Sequence, residues 1–483
     1  MLIRWAAVGF ILGQFLLALA VTMLLPIGWG LVFGGGGLEA LVWSALVTAA
    51  CGGSLLAALP RPKRELKQRE ALAVVVLAWF VAGAFGALPF LWSGYFRSVT
   101  DAVFESASGF TTTGATILTS IETVPESLLF WRSLTHWLGG MGIIVLSLAI
   151  LPMLGVGGMQ LFKAEVPGPT ADRLKPRIQD TAKLLWGVYV ILTGIETALL
   201  MFGGMNFYEA LCHSFATLAT GGFSTRDASV AAYDSAYIEW VITFFMFAAG
   251  VNFSLHYQAL RGRLREYFRN EEFLFYLTIT LGATIGLILL NQGTVYDSLA
   301  DNLRYSAFQA SSILTTTGFG TADYEQWPVM AQYMLVFLMF VGGCAGSTGG
   351  GMKVARILLL FKHAHVQVFR LIHPRAVRLV KLGATPVKGE VMQSILGFFA
   401  LFMGIFVVAS MLLAATGMDL VSSGAAVIAT LSNIGPGLGS VGPIDNYSHI
   451  PAFGKGVLIV CMLMGRLELF TVLVLFIPSF WRR

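Results

Sequence analysis

The residues best placed to do chemistry in this 483-residue chain are four runs of threonine, serine and glycine, each closing a similar apolar segment. They read DAVFESASGFTTTGAT from Asp101, NFYEALCHSFATLATGGFST from Asn206, DNLRYSAFQASSILTTTGFGT from Asp301 and DLVSSGAAVIATLSNIGPGLG from Asp419. Hydroxyls of Thr and Ser satisfy local backbone groups, and Gly permits left-handed backbone, so such runs can aim successive carbonyls one way. Carbonyls arranged in rings can replace the hydration shell of a cation. The candidate ligands are Thr112, Thr113 and Gly114; Thr220, Gly221 and Gly222; Thr316, Thr317, Gly318 and Phe319; and Asn433, Ile434 and Gly435. One such run alone reads equally well as a surface turn. Four copies, aligned on Gly114, Gly221, Gly318 and Gly435, make an internal repeat, and the doublet Gly221-Gly222 leaves the second copy ambiguous by one residue.

The elements that must position these runs follow from what precedes them. Asp101, Asn206, Asp301 and Asp419 are residue types that cap helix N-termini, and Asn206 with Glu209 resembles a capping box. A helix of about 12 residues is roughly 18 Å long, against a hydrocarbon core of roughly 30 Å, so it enters a membrane without crossing it. Backbone that turns back at that depth must be buried in protein or line a watery cavity. Each short helix would point its partially negative C-terminal end at the centre, which favours a cation.

The composition agrees with a bilayer as solvent: 56% of residues are hydrophobic and 12% charged, where roughly 25% charged is usual for soluble domains. Ten apolar runs reach spanning length, at 5–33, 38–60, 71–93, 128–154, 182–204, 238–259, 273–291, 329–360, 390–415 and 454–480. With a cytoplasmic N-terminus, Arg4, 61–69, 156–183, 261–269, 353–388 and the terminal WRR hold 25 of the 31 Lys and Arg residues, which orients both ends inward. Arg97, Arg132, Arg226, Arg304 and Lys455 are read as lying in outer loops, and Arg466 inside the last span. The net charge of +5 resides in topogenic loops and does not mark a nucleic-acid partner; it suits membrane lipid, and 156–183 and 361–388 could instead dock a soluble partner. Cys51, Cys212, Cys344 and Cys461 lack metal or redox spacing, so no disulfide is expected. The first run is too long for most signal peptides, and an uncleaved first helix is expected despite Ala18-Leu-Ala20.

Six glycines between Gly342 and Gly351 interrupt the 329–360 run and should break its helix. Below the third run, Gly346, Ser347, Thr348, Gly349, Gly350 and Gly351 are a candidate gate; a glycine-rich packing interface is the competing role. Met352 before Lys353 spoils a phosphate loop, and Pro443 after Gly437-Leu-Gly-Ser-Val-Gly442 spoils a dinucleotide site. His363, His365 and His373 have no Cys or acidic company and read as solvated, so no structural metal and no cofactor is expected. No nucleophile, base and oxyanion arrangement is visible, which argues against an enzyme. An Arg inside a span must face a wet or charged interior, so Arg466 is a candidate barrier beneath the four runs; its competing role is an ion pair with Glu196 or Glu468.

The segments ASGFTTTGAT, LATGGFST, ILTTTGFGT, SNIGPGLG, GGCAGSTGGGMK and CMLMGRLELF together resemble the Trk/Ktr/HKT superfamily of potassium transporters, and most closely its TrkH-type pore-forming subunits, over essentially the whole chain. The resemblance implies an all-α integral membrane protein with two N-terminal spans followed by four helix–pore-loop–helix repeats in pseudo-fourfold arrangement. The corresponding divisions are 1–70, 71–160, 161–270, 271–385 with the gate loop, and 386–483. It also implies one filter glycine per repeat, and inward passage of K+, with Rb+ and more weakly Na+ as further ions. Relatives with Ser at the first filter position tend to pass sodium; Gly114 stands here, and the fourth copy departs most from a potassium-channel filter. A homodimer in a bacterial inner membrane, with a cytoplasmic ring of nucleotide-binding regulatory subunits, is implied likewise. Coupling to protons or sodium as a symporter is the alternative to a channel-like pore.

Overall fold

The computed structural model describes residues 3–34, 36–64, 66–149 and 174–481. Its helices in chain order are α1 Trp5–Thr22, α2 Leu24–Phe33, α3 Leu38–Ala58, α4 Gln68–Gly86, α5 Leu88–Trp92, α6 Val99–Phe110, α7 Glu126–Ala149, α8 Leu174–Phe202, α9 Phe207–Leu218, α10 Ala236–Ala249 and α11 Phe253–Leu260. They continue with α12 Arg265–Arg269, α13 Glu271–Asn291, α14 Leu299–Leu314, α15 Val329–Met339, α16 Val354–Ile372, α17 Gly389–Ala414, α18 Leu420–Leu431, α19 Ala452–Arg466, α20 Phe470–Leu473 and α21 Pro478–Trp481. A two-residue antiparallel hairpin, Lys381–Leu382 with Thr385–Pro386, follows α16.

Among the described residues six helical stretches are long and apolar enough to cross a membrane, and two bent pairs would raise the number to eight. This is fewer than the ten runs read from the sequence, for identifiable reasons. The 238–259 run is bent by 104° between α10 and α11, where the Asn252 side chain caps a new helix by accepting from the Ser254 amide at 2.8 Å. The last run is bent by 109° after Arg466, where Glu468 and Leu469 take positive φ. In the 329–360 run, α15 stops at Met339 and helix resumes only at Val354, with the glycine-rich stretch between them. The 128–154 run extends past the described residues, as does much of the 156–183 basic segment.

The four short helices form where the sequence pattern places them, with caps that are partly different. Asn206 and Asp419 do cap α9 and α18, accepting from the Glu209 amide at 2.8 Å and from the Val421 and Ser422 amides at 2.9 and 3.0 Å. Asp101 and Asp301 do not cap. Ser98 and Ser298 take that position three residues earlier and accept from the Asp101 and Asp301 amides at 3.1 and 3.3 Å. A carboxylate in the first turn still favours the helix N-terminus, but the cap itself is the serine hydroxyl. Glu209 completes no capping box, because its carboxylate pairs with Arg226 at 2.6 Å.

Around these helices the longer ones pack through small residues. A Cβ on Gly13 of α1 would touch the Gly52 carbonyl oxygen of α3 at 3.0 Å, so this pair approaches backbone to backbone, as membrane helices without a hydrophobic drive between them tend to do. Nearer the centre, a Cβ on Gly139 of α7 would strike the Phe110 carbonyl at the end of α6. One on Gly465 of α19 would strike the Leu431 carbonyl at the end of α18. The short helices are therefore seated with their C-terminal ends against glycines of the long ones.

Candidate functional site

Each short helix ends in the same way. The amide of the second residue past the last helical one bonds back to the carbonyl three positions earlier: Thr112 to Gly109, Thr220 to Thr217, Thr316 to Ile313 and Asn433 to Thr430, at 2.9 to 3.2 Å. The next amide reaches five back, Thr113 to Ser108, Gly221 to Ala216, Thr317 to Ser312 and Ile434 to Ala429, at 2.7 to 2.9 Å. These two bonds define the Schellman termination, which requires a left-handed residue usually supplied by glycine. Here that residue is Thr112, Thr220, Thr316 or Asn433, with φ of 52°, 54°, 61° and 56°. A left-handed L residue costs roughly 1–2 kcal/mol and β-branching makes it rarer still, so three threonines in this state mark strain held by the surrounding packing.

Two residues further on the backbone turns left-handed again, at Gly114, Gly222, Gly318 and Gly435, with φ of 79°, 77°, 79° and 99°. Gly221 is not in this group, so in the second copy the glycine equivalent to Gly114 is Gly222, and the alignment on Gly221 shifts by one. The neighbours agree. A Cβ on Gly114 would meet the Gly221 carbonyl oxygen, one on Gly222 the Thr317 oxygen, one on Gly318 the Ile434 oxygen and one on Gly435 the Thr113 oxygen, all within 3.0 Å. The four contacts run from each copy to the next and from the last back to the first.

Thr112, Thr113, Thr220, Gly221, Thr316, Thr317, Asn433 and Ile434 are all buried. Among the described residues no hydrogen-bond donor is directed at any of their eight carbonyl oxygens. More than nine in ten buried backbone groups in folded proteins are paired, so eight unpaired carbonyls in one place call for a positively charged or hydrogen-donating guest. Phe319 is different: its carbonyl accepts from the Ser312 hydroxyl at 2.7 Å and its ring is buried against His213, so it packs the third copy and offers no open oxygen. The Gly435 carbonyl is also occupied, by the Tyr447 hydroxyl at 2.6 Å. Asn433 ties the fourth copy to the first, donating from Nδ2 to Thr113 Oγ1 at 2.9 Å.

The glycine-rich stretch lies directly against this centre. Thr316 Oγ1 accepts from the Gly350 amide at 2.7 Å, and a Cβ on Gly350 would strike the Ser432 carbonyl. Thr348 donates its hydroxyl to the carbonyls of Leu218 and Ala249 at 2.9 and 3.2 Å, Ser347 folds back on Cys344, and Lys353 donates to the Gly349 carbonyl. Gly346 and Gly351 supply the left-handed turns, at φ 75° and 61°. Arg466, 2% exposed, reaches this stretch from α19, donating from Nη1 to the Thr348 carbonyl at 2.7 Å and from Nη2 to the Gly139 carbonyl of α7 at 3.2 Å. It pairs with neither Glu196 nor Glu468; Glu468 is held by Arg356.

Two cations read as loop residues are buried instead. Lys455 lies in α19 and bonds Asp101 at 2.6 Å, and Arg132 lies in α7 and bonds Glu105 at 2.6 Å. Their carboxylate partners are 354 and 27 residues away in sequence, a separation that no spacing rule reads. Among the described residues no cluster of three or more His, Cys, Asp or Glu could hold a metal ion. His363 and His365 instead contact Gln367 and Arg378 near the exposed end of α16.

Known proteins give this geometry a family. A family model described as a cation transport protein, TrkH, matches residues 39–483. The chain is 45% identical to the Trk system potassium uptake protein TrkH of Salmonella typhimurium, over 99% of this chain and all of the relative. It is 44% identical to the protein of the same name from Halomonas elongata, over 98% of each. The crystal structure of the potassium transporter TrkH from Vibrio parahaemolyticus superposes with a TM-score of 0.92 at 40% identity, covering 99% of this chain and 100% of that one. With a family model over more than nine-tenths of its length and relatives matched end to end, this chain belongs to the TrkH family of cation transport proteins.

Proposed function

We propose that the protein takes up K+ through a central pore whose filter is made by the four glycine-containing runs in pseudo-fourfold arrangement. The observation that carries this is the set of eight buried, donor-free carbonyls on four segments that touch in cyclic order. Carbonyl oxygens that no amide satisfies are ligands for a dehydrated cation, and alternating left-handed residues turn successive oxygens to the same side. Four helix C-termini, each carrying roughly half a negative charge, surround the same place. Entry of a cation is then driven by a negative-inside potential, worth about 2.3 kcal/mol per charge per 100 mV.

In this reading Gly346–Gly351 is the gate and Arg466 its latch. The stretch closes the path by standing under the third and fourth runs, bonded to Thr316 and packed on Ser432, and the guanidinium both holds the Thr348 carbonyl and repels a cation. Opening requires the loop to leave Thr316 and Arg466 together. The cytoplasmic orientation of both termini, the inner membrane, the homodimer and a nucleotide-binding ring belong to the same proposal. Its support is the basic distribution and the exposed surface of 361–388, where Leu371 and Val377 are 82% and 91% exposed beside Arg370, Arg375 and Arg378. Reversing those three charges should abolish co-purification with a regulatory ring; unchanged binding would remove this segment from the interface. The filter itself is tested by flux of K+ against Na+ into liposomes holding the wild type or Gly114→Ser.

A further inference from the structure

Between the first and second runs lies an ionic arrangement that neither the filter nor the gate uses. Arg132 and Glu105 are 2% and 0% exposed and meet at 2.6 Å between Nε and Oε1. Taking two charges out of water is costly, and a buried pair is tolerated only when further hydrogen bonds satisfy both partners. Here they are satisfied by the limbs that leave the first and second runs. Glu105 Oε1 also accepts from the Thr116 hydroxyl at 2.8 Å, and Oε2 from the Ile117 amide at 3.0 Å; both residues lie in the limb that leaves the first run after Gly114. Arg132 Nη1 donates to the Ser224 carbonyl at 3.0 Å, in the limb that leaves the second run after Gly222.

The residue between Gly222 and Ser224 is held as well. The Phe223 ring has the Arg132 guanidinium 3.4 Å from its centroid and the His136 ring 3.9 Å from it, nearly parallel at 11°. Two groups that close cannot share one face, so Phe223 is sandwiched between residues one helical turn apart on α7. A cation over an aromatic face is attracted by the negative face of the ring, and more strongly in a dry site. A Cβ on Gly221 would strike the same His136 ring, so the second run rests on this side of α7 at Gly221, Phe223 and Ser224.

The structure assigns Arg132 and Glu105 as positioning residues that fix the first and second filter quarters against each other, and thereby set how well the filter distinguishes K+ from Na+. Neither touches the ion. They act through the limbs at 116–117 and 223–224, one to three residues beyond Gly114 and Gly222. The other boundaries are tied differently: the fourth run meets the first through Tyr447, whose amide donates to the Thr116 carbonyl at 2.8 Å and whose hydroxyl donates to that of Gly435. Thr116 is therefore held from both sides, by Glu105 and by Tyr447. Preference between ions of equal charge depends on the size of the cavity and on the number and arrangement of the carbonyl oxygens that line it, so displacing one quarter against another changes that preference.

This inference rests on the reading of the four runs as an ion filter, and the experiment separates the two. K+ and Na+ fluxes into liposomes are measured for the wild type, Gly114→Ser, Phe223→Leu, Arg226→Gln, and Glu105→Gln combined with Arg132→Gln. The double variant is used because either single change strands a buried charge and can prevent folding, whereas removing both leaves no unpaired ion. Arg226, its side chain partly exposed, pairs with Glu209 and touches neither Arg132 nor Glu105, and serves as control. The K+ to Na+ flux ratio should fall about tenfold in the double variant, equivalent to roughly 1.4 kcal/mol of lost discrimination, and by a smaller factor in Phe223→Leu, with K+ flux itself retained. Arg226→Gln should keep the wild-type ratio. A double variant that conducts with the wild-type ratio while Gly114→Ser loses it overturns the clamp and leaves the filter standing. A Gly114→Ser protein with the wild-type ratio overturns the filter reading on which the clamp depends. If the double variant does not reach the membrane, Phe223→Leu decides alone, since it removes the stacking without touching either charge.

Discussion

At Gly222 a methyl group would have to occupy the space of the Thr317 carbonyl, on a backbone with φ of 77°; at Gly221 its nearest neighbour would be the His136 ring. Backbone of the neighbouring run can give way only by moving its own carbonyl, whereas a side chain can be replaced. Gly222→Ala is therefore expected to lose K+ over Na+ preference at normal protein levels, as is Gly114→Ser, with no rescue by a second change, while Gly221→Ala should recover part of its preference when combined with His136→Ala. Equal severity and equal failure of rescue at the two positions would contradict the assignment of Gly222. Arg466 makes the second prediction at this scale. If Arg466 is the latch, Arg466→Ala removes its bond to Thr348 and a charge that would repel a cation, so K+ flux per molecule should rise by roughly tenfold to a hundredfold, one lost hydrogen bond to a charged group being worth about 1.5–3 kcal/mol. Unchanged flux with poor expression would make Arg466 a structural residue. Sequence alone singled out these residue types, but it could not choose within the Gly221-Gly222 doublet, because the choice is made by which carbonyl of another repeat stands opposite.

The short helices show what a sequence pattern reaches and where it stops. Their C-terminal ends were legible, and so was the length of about 12 residues for three of them, since an apolar segment closed by Thr, Ser and Gly has few other structures available in a membrane; α14 is longer, at 16 residues. The caps were half legible. Asp at 101 and 301 satisfied the same rule as Ser at 98 and 298, and only the amide geometry tells which residue precedes the first turn. Ser298→Ala should accordingly cost about 1 kcal/mol of stability, visible as a lower unfolding temperature of the purified protein with its ion preference intact. Asp301→Ala should cost less, because its carboxylate reaches only the neighbouring Arg304 at 3.1 Å. The glycine-rich break was legible from composition, while its anchors were not. Thr348→Val keeps the shape and removes the hydroxyl that bonds Leu218 and Ala249, so closed-state flux should rise by roughly twofold to tenfold for a net loss of about 0.5–1.5 kcal/mol. No increase would place the anchoring of the loop elsewhere.

For the whole molecule, the membrane class and the multi-helix architecture could be read from the chain, because bilayer thickness and backbone satisfaction leave so few solutions. The ion pairs that tie the repeats together could not. Arg132 and Lys455 look like any loop cation until α7 and α19 bring them to Glu105 and Asp101. Orientation is a global property with its own test. The free cysteines other than the half-buried Cys51 are buried, so a membrane-impermeant thiol reagent has little background. Asn446→Cys should label from outside intact cells and Arg375→Cys only after the membrane is opened; the reverse pattern would invert the topology. The central claim, that four carbonyl-bearing runs form one cation filter, meets its most direct test in K+ and Na+ fluxes through purified protein, wild type against Gly114→Ser. The account predicts a K+ preference in the wild type that the serine largely removes, with wild-type current reversing at the K+ equilibrium potential. Equal K+ and Na+ flux in the wild type, or a ratio untouched by Gly114→Ser, would contradict it.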